Sequence, residues 1–326
     1  MRAPEFWTRG GAVASALAPL GALYGIGVRL RRMLAHPFRP RARVVCIGNL
    51  TAGGTGKTPV AIAIARLLRE RGSKPVLLTR GYGGRLEGPV AVDPAQHTAR
   101  DVGDEALLLA AAAPAIVARD RAAGARLADA MGAEIIVMDD GHQNFSVTKD
   151  VSLLVIDAET GLGNGRLIPA GPLREPARAG CARADALVLM GEGMPALPPF
   201  AGPILRSRLE AVPPAGLAGR RVLAFAGIGR PEKFFRTLMD LGCDLAEAHP
   251  FADHHVFSAA EVAALKARAR ALGVPLVTTE KDFLRLDPEM RDDIVALPAR
   301  TVFAEPAMLN ALLDRVRRDA PPSARP

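Results

Sequence analysis

The segment GNLTAGGTGKTP, residues 48–59, combines clustered glycines with a Lys-Thr pair, the composition of a phosphate-binding loop. Glycines allow successive backbone N–H groups to face an anion, and a helix that begins here adds the positive end of its dipole. Lys57 would reach the β- and γ-phosphates, and the Thr58 hydroxyl would bind Mg²⁺. We predict that the nucleotide is held by Thr51, Ala52, Gly53, Gly54, Thr55, Gly56, Lys57 and Thr58.

Two residues depart from the usual pattern G-x-x-x-x-G-K-[ST]. Thr51 stands where the first glycine is usual, and Pro59 directly follows the Lys-Thr pair. Threonine is acceptable if this position has a negative φ, and proline suits the first helical turn because no amide donor is needed there. A glycine-rich turn that binds nothing is the alternative. The apolar strand pattern before the loop favours a nucleotide site.

Carboxylates follow a second apolar strand pattern in IIVMDDG, residues 135–141. Asp139 or Asp140 would bind Mg²⁺ directly or through water, and the other would orient ligands. A simple turn is the alternative for Asp-Asp-Gly. In VGDE, Asp104 and Glu105 stand at a helix start. There they either cap the helix or accept a proton from a hydroxyl nucleophile.

The segment FADHHVFS, residues 251–258, places Asp253, His254 and His255 in a polar loop. Adjacent histidines diverge, and no third ligand is in register, so zinc binding is not expected. The three cysteines are far apart and lack a C-x-x-C pair, which indicates reduced core residues.

Other classes of phosphate-loop protein fit less well. A GTPase needs N-K-x-D or T-K-x-D after a later strand, whereas in TTEKD the residues Lys281 and Asp282 are adjacent. Partitioning-type ATPases carry a lysine just before the Gly-Gly pair, and Ala52 occupies that place. The absence of this lysine argues against a membrane-associated regulatory ATPase, which is one function that a phosphate-loop protein of this kind could have.

Apolar runs of strand length alternate with segments of helical spacing, which predicts an α/β fold with a parallel sheet covered by helices on both faces. Strands are predicted over 41–49, 74–84, 114–120, 133–141, 152–159 and 184–191, and helices over 58–72, 104–113 and 120–132.

The region 191–220 is rich in proline and glycine, typical of a linker or domain-crossing segment. A strand, glycine turn and helix follow over 221–242, then a helix over 258–273 and a strand with its loop over 274–282. We therefore predict three parts: a membrane-associated helical segment (1–40), a phosphate-loop core (41–205), and a smaller α/β lobe that closes the cleft (206–326). The tail, 317–326, is expected to be frayed.

The N-terminal region has no charge from Gly10 to Val28, and Arg29, Arg31 and Arg32 follow. Its Ala/Gly content and Pro19 make it weakly apolar for a spanning helix. We reject export because the phosphate loop needs cytosolic nucleotide. The pattern favours a segment that lies on or dips into an anionic membrane face, with an ordinary packed helix as the alternative. A net charge of +8 also favours acidic partners, but 4% aromatic residues and no basic aromatic stripe argue against nucleic acid.

Six motifs together resemble the tetraacyldisaccharide 4′-kinase family, the lipid A 4′-kinases. They are GNLTAGGTGKTP, LTRGYGG, VGDE, DDGHQN, PAGPLREP and FADHH, and the resemblance covers nearly the whole chain. It implies transfer of the γ-phosphoryl group of ATP, with Mg²⁺, to the 4′-hydroxyl of a tetraacyl glucosamine disaccharide 1-phosphate, giving lipid IVA. It also implies a peripheral or monotopic position at the cytoplasmic face of the bacterial inner membrane. No protein partner is inferred.

The same resemblance implies residue roles. The family's catalytic aspartate falls on Asp104, and its partner histidine falls on His254, which would tune Asp104 as base across the cleft between the lobes. The Mg²⁺ carboxylates match Asp139 or Asp140, with Glu105 as a third candidate. His142 stands where the family often has an aromatic residue. The remaining candidates, for contact with substrate, are Arg80, Gln143 and Glu175.

Overall fold

The structure, a computed structural model, describes residues 4–317, so most of the tail predicted to fray lies outside the described residues. The strands are β1 (Arg43–Gly48), β2 (Pro75–Thr79), β3 (Val90–Ala91), β4 (Ala115–Val117), β5 (Ile135–Asp139), β6 (Val151–Asp157), β7 (Ala186–Met190), β8 (Ile204–Ala211), β9 (Arg221–Ala226), β10 (Asp244–Pro250), β11 (Leu276–Thr279), β12 (Ile294–Leu297) and β13 (Ala299–Phe303). The helices are α1 (Phe6–Arg9), α2 (Ala12–Met33), α3 (Lys57–Glu70), α4 (Ala99–Val102), α5 (Asp104–Ala110), α6 (Arg121–Ala130), α7 (Ala177–Cys181), α8 (Pro231–Asp240), α9 (Ala259–Leu272), α10 (Glu280–Arg285) and α11 (Pro306–Asp314).

The larger sheet has the strand order β13-β8-β7-β6-β1-β5-β2-β4-β3. Its strands from β8 to β4 are parallel, and only the edge pairs β13–β8 and β3–β4 are antiparallel. Ile47 of β1 is in register with Asp139 of β5. The loop after β1 and the carboxylates after β5 therefore meet at the carboxyl edge of the sheet, where α/β folds bind ligands.

Helices cover both faces of this sheet. On one face, Ile64 and Leu68 of α3 pack with Leu312 of α11 over the strands. On the other face, Ala125 and Ala128 of α6 pack in a second core cluster. Because both faces are buried, the strands are continuous apolar runs, and the predicted α/β fold with helices on both faces is confirmed.

The smaller sheet has the order β10-β9-β11-β12, and all its strands are parallel. Phe234 and Leu238 of α8 cover one face, and Val262 and Leu265 of α9 cover the other. The strand, glycine turn and helix expected over 221–242 are β9, the turn at 227–229 and α8.

The chain crosses between the two sheets more than once. The region 191–220, expected to be a linker, contains β8, in which buried Leu205 and Ser207 alternate with exposed neighbours. After β12 the chain returns to the larger sheet, because β13 pairs along the edge of β8 and α11 buries apolar side chains against the α3 side. The division at residue 205 stays a prediction, although sheet pairing places β8, β13 and α11 with the larger sheet.

Helix α2 lies against the segment 162–172 that follows β6. Its Gly21 allows close approach, since a Cβ there would lie 3.0 Å from the Leu167 carbonyl oxygen. Arg166 Nη1 donates to the Ala14 carbonyl at 3.0 Å. Most of the apolar side chains of α2 nevertheless remain exposed, and Leu23 is 65% exposed. Among the described residues, α2 is the one helix long and apolar enough to cross a membrane, by length and composition only.

Candidate active site

The phosphate loop has the backbone conformation that its glycines predict. Gly53 has φ 120° and Gly56 has φ 86°, values that favour glycine. Thr51 forms an isolated β-bridge with Leu173, an extended conformation that needs no glycine, and the Ala52 N–H donates to the Pro172 carbonyl at 2.8 Å. The segment around Pro172 thus braces the start of the loop. Lys57 then begins α3, with Pro59 in its first turn.

Asp139 is buried directly beside the loop. Thr58 Oγ1 donates to Asp139 Oδ2 at 3.0 Å, while Asp139 Oδ1 has no hydrogen-bond partner in the structure. Burial, and then the negative charge of Glu105, raise the pKa of this carboxyl to about 7. A buried carboxylate in this position favours a cation as its neighbour.

Asp140 has the opposite electrostatic environment. It adopts φ 51°, a left-handed conformation that aspartate tolerates. Arg174 Nη1 donates to both its oxygens at 3.0 and 3.1 Å, and Lys57 Nζ lies 3.6 Å from Oδ1. Burial alone would raise its pKa, but Lys57 and Arg174 hold that pKa below the usual value. Asp140 is therefore the more readily ionised of the two carboxyl groups, and it holds Lys57 in place.

Asp104 and His254 meet across the two sheets. Asp104 begins α5, and His254 lies in the loop after β10 with φ 58°. His254 Nδ1 lies 3.5 Å from Asp104 Oδ2. The same oxygen accepts a hydrogen bond from Arg285 Nε at 2.5 Å and lies 3.7 Å from Lys281 Nζ. Burial alone would raise the pKa of Asp104. A proton donated by His254 would lower that pKa, and the charges of Lys281 and Arg285 hold it well below its usual range whichever tautomer His254 has.

Glu105 connects this pair to the phosphate loop. It accepts a hydrogen bond from Lys281 Nζ at 3.2 Å, and its charge is among the causes of the raised pKa of Asp139. The two sheets therefore contribute to one cluster of polar and charged side chains that extends from Thr58 to His254.

Gln143 and Glu175 support the loop from behind. Gln143 Nε2 donates to the Asn49 carbonyl at 2.8 Å and to Glu175 Oε1 at 2.9 Å. Glu175 is buried and also accepts from both terminal nitrogens of Arg183, at 2.7 and 2.8 Å. These contacts suit a positioning role. Arg80 is exposed just after β2, and its charge acts on Arg121.

His142 is a packing residue in this structure. It is 1% exposed, and its Nε2 lies 3.1 Å from the Gly180 carbonyl oxygen. Gly48 leaves room for it, because a Cβ on Gly48 would lie 2.4 Å from the His142 Cβ. Burial, and then the charges of Arg183 and Lys149, lower the pKa of His142 to about 3.

Comparison with known proteins gives the family. The model of the tetraacyldisaccharide-1-P 4′-kinase family matches residues 13–317. The chain belongs to this family. A tetraacyldisaccharide 4′-kinase of Rhodospirillum rubrum is 52% identical over 324 residues, 97% of this chain and 98% of that protein. One from Rhodospirillum centenum is 52% identical over 323 residues, 96% of each chain.

A solved structure has the same fold. LpxK from Aquifex aeolicus, described as in complex with ATP, matches with a TM-score of 0.78 and 26% identity, over 94% of this chain and 100% of that one. The family, the fold class and the kinase activity predicted from the sequence are confirmed by these relatives.

Several residues of the kinase's candidate site were not predicted from its sequence. Arg174 stands inside PAGPLREP, a motif that contributes to the family resemblance but that indicated no role for this arginine. The sequence around Lys281, TTEKD, suggested only a comparison with the guanine-binding pattern, which it does not fit. Arg121, whose Nη2 donates to the Asp139 carbonyl at 3.1 Å, and Arg285 gave no signal at all. Each is a long cation whose partner lies on another element, so sequence spacing could not reveal the contact.

Proposed function

We propose that the cleft between the two sheets is where this kinase transfers the γ-phosphoryl group of ATP to the 4′-hydroxyl of tetraacyldisaccharide 1-phosphate, giving lipid IVA. The observation that carries the assignment is the 3.5 Å approach of His254 Nδ1 to Asp104 Oδ2 beside the phosphate-loop cluster. A phosphate loop combined with a carboxylate–histidine pair suits transfer to a hydroxyl, which needs a base. The relatives named above support the acceptor.

The nucleotide would lie on the loop between β1 and α3. Its backbone N–H groups and the start of α3, a 14-residue helix, favour the phosphates. Lys57, held by Asp140, stabilises the charge that develops on the transferred group. Arg174 holds Asp140 from the other side and so keeps this arrangement in place.

The residues present fit a magnesium ion. Thr58 supplies a hydroxyl, and Asp139 supplies a carboxylate oxygen that has no hydrogen-bond partner. Within residues 4–317, no group of three or more His, Cys, Asp or Glu side chains forms a complete cage. That suits Mg²⁺, which in kinases takes one or two carboxylates together with substrate phosphates and water. When bound, Mg²⁺ neutralises charge on the β- and γ-phosphates.

Asp104 is the proposed general base. As the bond from the 4′-oxygen to the γ-phosphorus forms and the bond to the ADP oxygen breaks, the hydroxyl proton passes to the Asp104 carboxylate. His254 orients that carboxylate from the other lobe. Asp104 and His254 come from different lobes, so the base is oriented only when the two lobes are in contact. The same contact would exclude water that could otherwise hydrolyse ATP.

Helix α2 is proposed to hold the kinase at the cytoplasmic face of the inner membrane. Leu20, Leu23 and Leu30 recur at helical spacing and are exposed, and Arg29, Arg31 and Arg32 lie near the end of the helix. Such a helix lies in the membrane interface, with its arginines at anionic headgroups. A lipid acceptor would then reach the cleft without leaving the bilayer entirely.

The first experiment is transfer of labelled γ-phosphate from ATP, with Mg²⁺, to tetraacyldisaccharide 1-phosphate in detergent micelles. A labelled lipid phosphorylated at the 4′ position supports the proposal. ATP hydrolysis without labelled lipid would contradict it and would favour a regulatory ATPase. Asp104→Asn in the same assay tests the base, with Asp101→Asn as a control of the same residue type on the neighbouring α4.

A further inference from the structure

Arg285 lies at the boundary between the two sheets, where its guanidinium contacts residues from both. It ends α10, and its side chain is 7% exposed. Its Nη1 donates to Asp282 Oδ1 at 2.7 Å and to the Gly227 carbonyl at 2.6 Å. Asp282 is itself held, because its Oδ2 accepts from the Gly227 N–H at 3.0 Å and from Thr279 Oγ1 at 2.8 Å. Hydrogen bonds within the smaller sheet and its loops therefore fix the orientation of the Arg285 side chain.

The remaining edge of the guanidinium faces the catalytic pair. Nε donates to Asp104 Oδ2 at 2.5 Å, and Nη2 lies 3.3 Å from His254 Nδ1. A guanidinium has only donors. The 3.3 Å contact then makes His254 Nδ1 the accepting nitrogen, which places the ring proton on Nε2.

This tautomer has a consequence for the pair. A bare Nδ1 and the carboxylate oxygen of Asp104 are both acceptors, so the 3.5 Å approach between them is not a hydrogen bond in this arrangement. Arg285 bridges the two groups and keeps them from bonding to each other. Lys281 Nζ, 3.7 Å from the same oxygen, adds a second positive charge. A carboxylate held in this way accepts a proton poorly.

The neighbourhood offers Arg285 a second partner. Lys281, on the same helix α10, binds Glu105, whose charge acts on Asp139 beside the phosphate loop. A triphosphate on that loop would lie next to this cluster. Phosphate oxygens match the two parallel N–H groups of a guanidinium, and they carry more negative charge than one carboxylate.

We propose that Arg285 is a positioning residue with two alternative partners, the Asp104–His254 pair as seen here and the triphosphate of ATP. When Arg285 binds the triphosphate, His254 Nδ1 becomes free to carry a proton and to donate it in a hydrogen bond to Asp104. The pair then forms only when the phosphoryl donor is in place. This inference rests on the proposed roles of Asp104 and His254.

The test reads the proton position on His254 by nitrogen-15 NMR of the full-length kinase labelled at histidine, with His254→Gln to assign the signal. Without nucleotide, we expect the proton on Nε2. Addition of Mg²⁺ and a non-hydrolysable ATP analogue should move protonation to Nδ1. In Arg285→Gln the signal should no longer show the bare Nδ1 without nucleotide, and should respond less to the analogue.

Kinetics supply a second readout. Arg285→Gln should raise the KM for ATP roughly tenfold, as expected for loss of one charge-assisted hydrogen bond to phosphate, and leave the KM for the lipid unchanged. Arg270→Gln is the matched control, because Arg270 is an exposed arginine of the same lobe that pairs with Asp293 at 2.7 Å. It should change neither KM nor the His254 signal.

A proton on Nδ1 in the wild-type kinase without nucleotide overturns the proposal. So does a His254 signal that the ATP analogue leaves unchanged. If Arg285→Gln does not fold, Arg285→Lys takes its place. Lysine keeps the positive charge but lacks the two parallel N–H groups that contact Asp104 and His254 together, so we expect His254 Nδ1 to be available for a proton without nucleotide. Failure of lipid phosphorylation by the wild type would instead count against the proposed function, because the NMR measurement needs no lipid.

Discussion

Thr58 Oγ1 donates a hydrogen bond to Asp139 Oδ2 at 3.0 Å, and the other oxygen of this buried carboxylate has no hydrogen-bond partner among residues 4–317. The phosphate loop after β1 and the carboxylate after β5 are therefore joined through side chains as well as through the sheet. One hydroxyl and one carboxylate oxygen point to a shared cation. This relationship gives a direct test of the proposed magnesium site.

Thr58→Val should weaken the dependence of the kinase on Mg²⁺, because valine keeps the shape of threonine and removes the hydroxyl ligand. We expect the Mg²⁺ concentration for half-maximal activity to rise by roughly 10- to 100-fold. Titration of Mg²⁺ at saturating ATP measures it. Thr237→Val is the control, since the Thr237 hydroxyl donates to the Lys233 carbonyl at 2.9 Å on α8. An unchanged Mg²⁺ requirement in Thr58→Val would contradict the assignment.

Asp104→Asn should lower kcat by about 10²- to 10⁴-fold, the range for loss of a general base. Binding of ATP should be retained, because the phosphate loop does not depend on Asp104. Single-turnover phosphorylation and equilibrium binding of an ATP analogue separate the two effects. Near wild-type kcat in this variant would exclude Asp104 as the base.

His142 should make the kinase less stable in mild acid. Its folded pKa, about 3, lies below the usual value of 6.5, so the unfolded chain binds a proton that the folded one does not. Stability is therefore full above pH 6.5 and falls as the pH decreases towards 3. Between pH 6.5 and pH 5, the loss is about 2 kcal/mol.

His142→Phe removes this titration and keeps an aromatic ring. It should destabilise the kinase at pH 7, because the Gly180 carbonyl loses its partner, and this deficit should shrink at pH 5. Urea unfolding at both pH values measures the difference. A deficit that is the same at pH 7 and pH 5 would contradict the prediction, because it would show that the folded chain protonates His142 as readily as the unfolded chain does.

Replacement of Leu20, Leu23 and Ile26 by glutamine should release the kinase from anionic vesicles. These side chains are 52%, 65% and 55% exposed, so the fold should tolerate the change. Cosedimentation with vesicles, at matched far-UV circular dichroism, measures it. The control changes three exposed methionines elsewhere, Met131, Met239 and Met308, to glutamine. Equal sedimentation of the two triple variants would argue against membrane contact through α2.

Local patterns in the sequence were sufficient for the phosphate loop and for the class of fold. Gly53 and Gly56 have the positive φ that glycine permits at a tight turn, and the alternation of apolar runs with helical spacing can be recognised without knowledge of distant residues. Asp139 and Asp140 could also be placed, because the carboxyl ends of neighbouring parallel strands lie at one edge of a sheet. The resemblance of VGDE and FADHH to motifs of the family also indicated Asp104 and His254 as candidates.

Other features depend on contacts between parts of the chain that are far apart in sequence. Strand β13 returns to the larger sheet because it hydrogen-bonds to the edge strand β8, and helix α11 returns because it buries apolar side chains against α3. The pKa shifts of Asp139 and His142 come from burial, which the residue type alone does not reveal.

The residues of the glycine loop were enough to predict a nucleotide site there, since such a site is built from consecutive backbone groups. The position of Arg285 between Asp104 and His254 depends instead on how the folded chain brings distant residues together. A long, flexible cation selects its partner from the acceptors around it in space. Those acceptors come from separate elements that folding brings together.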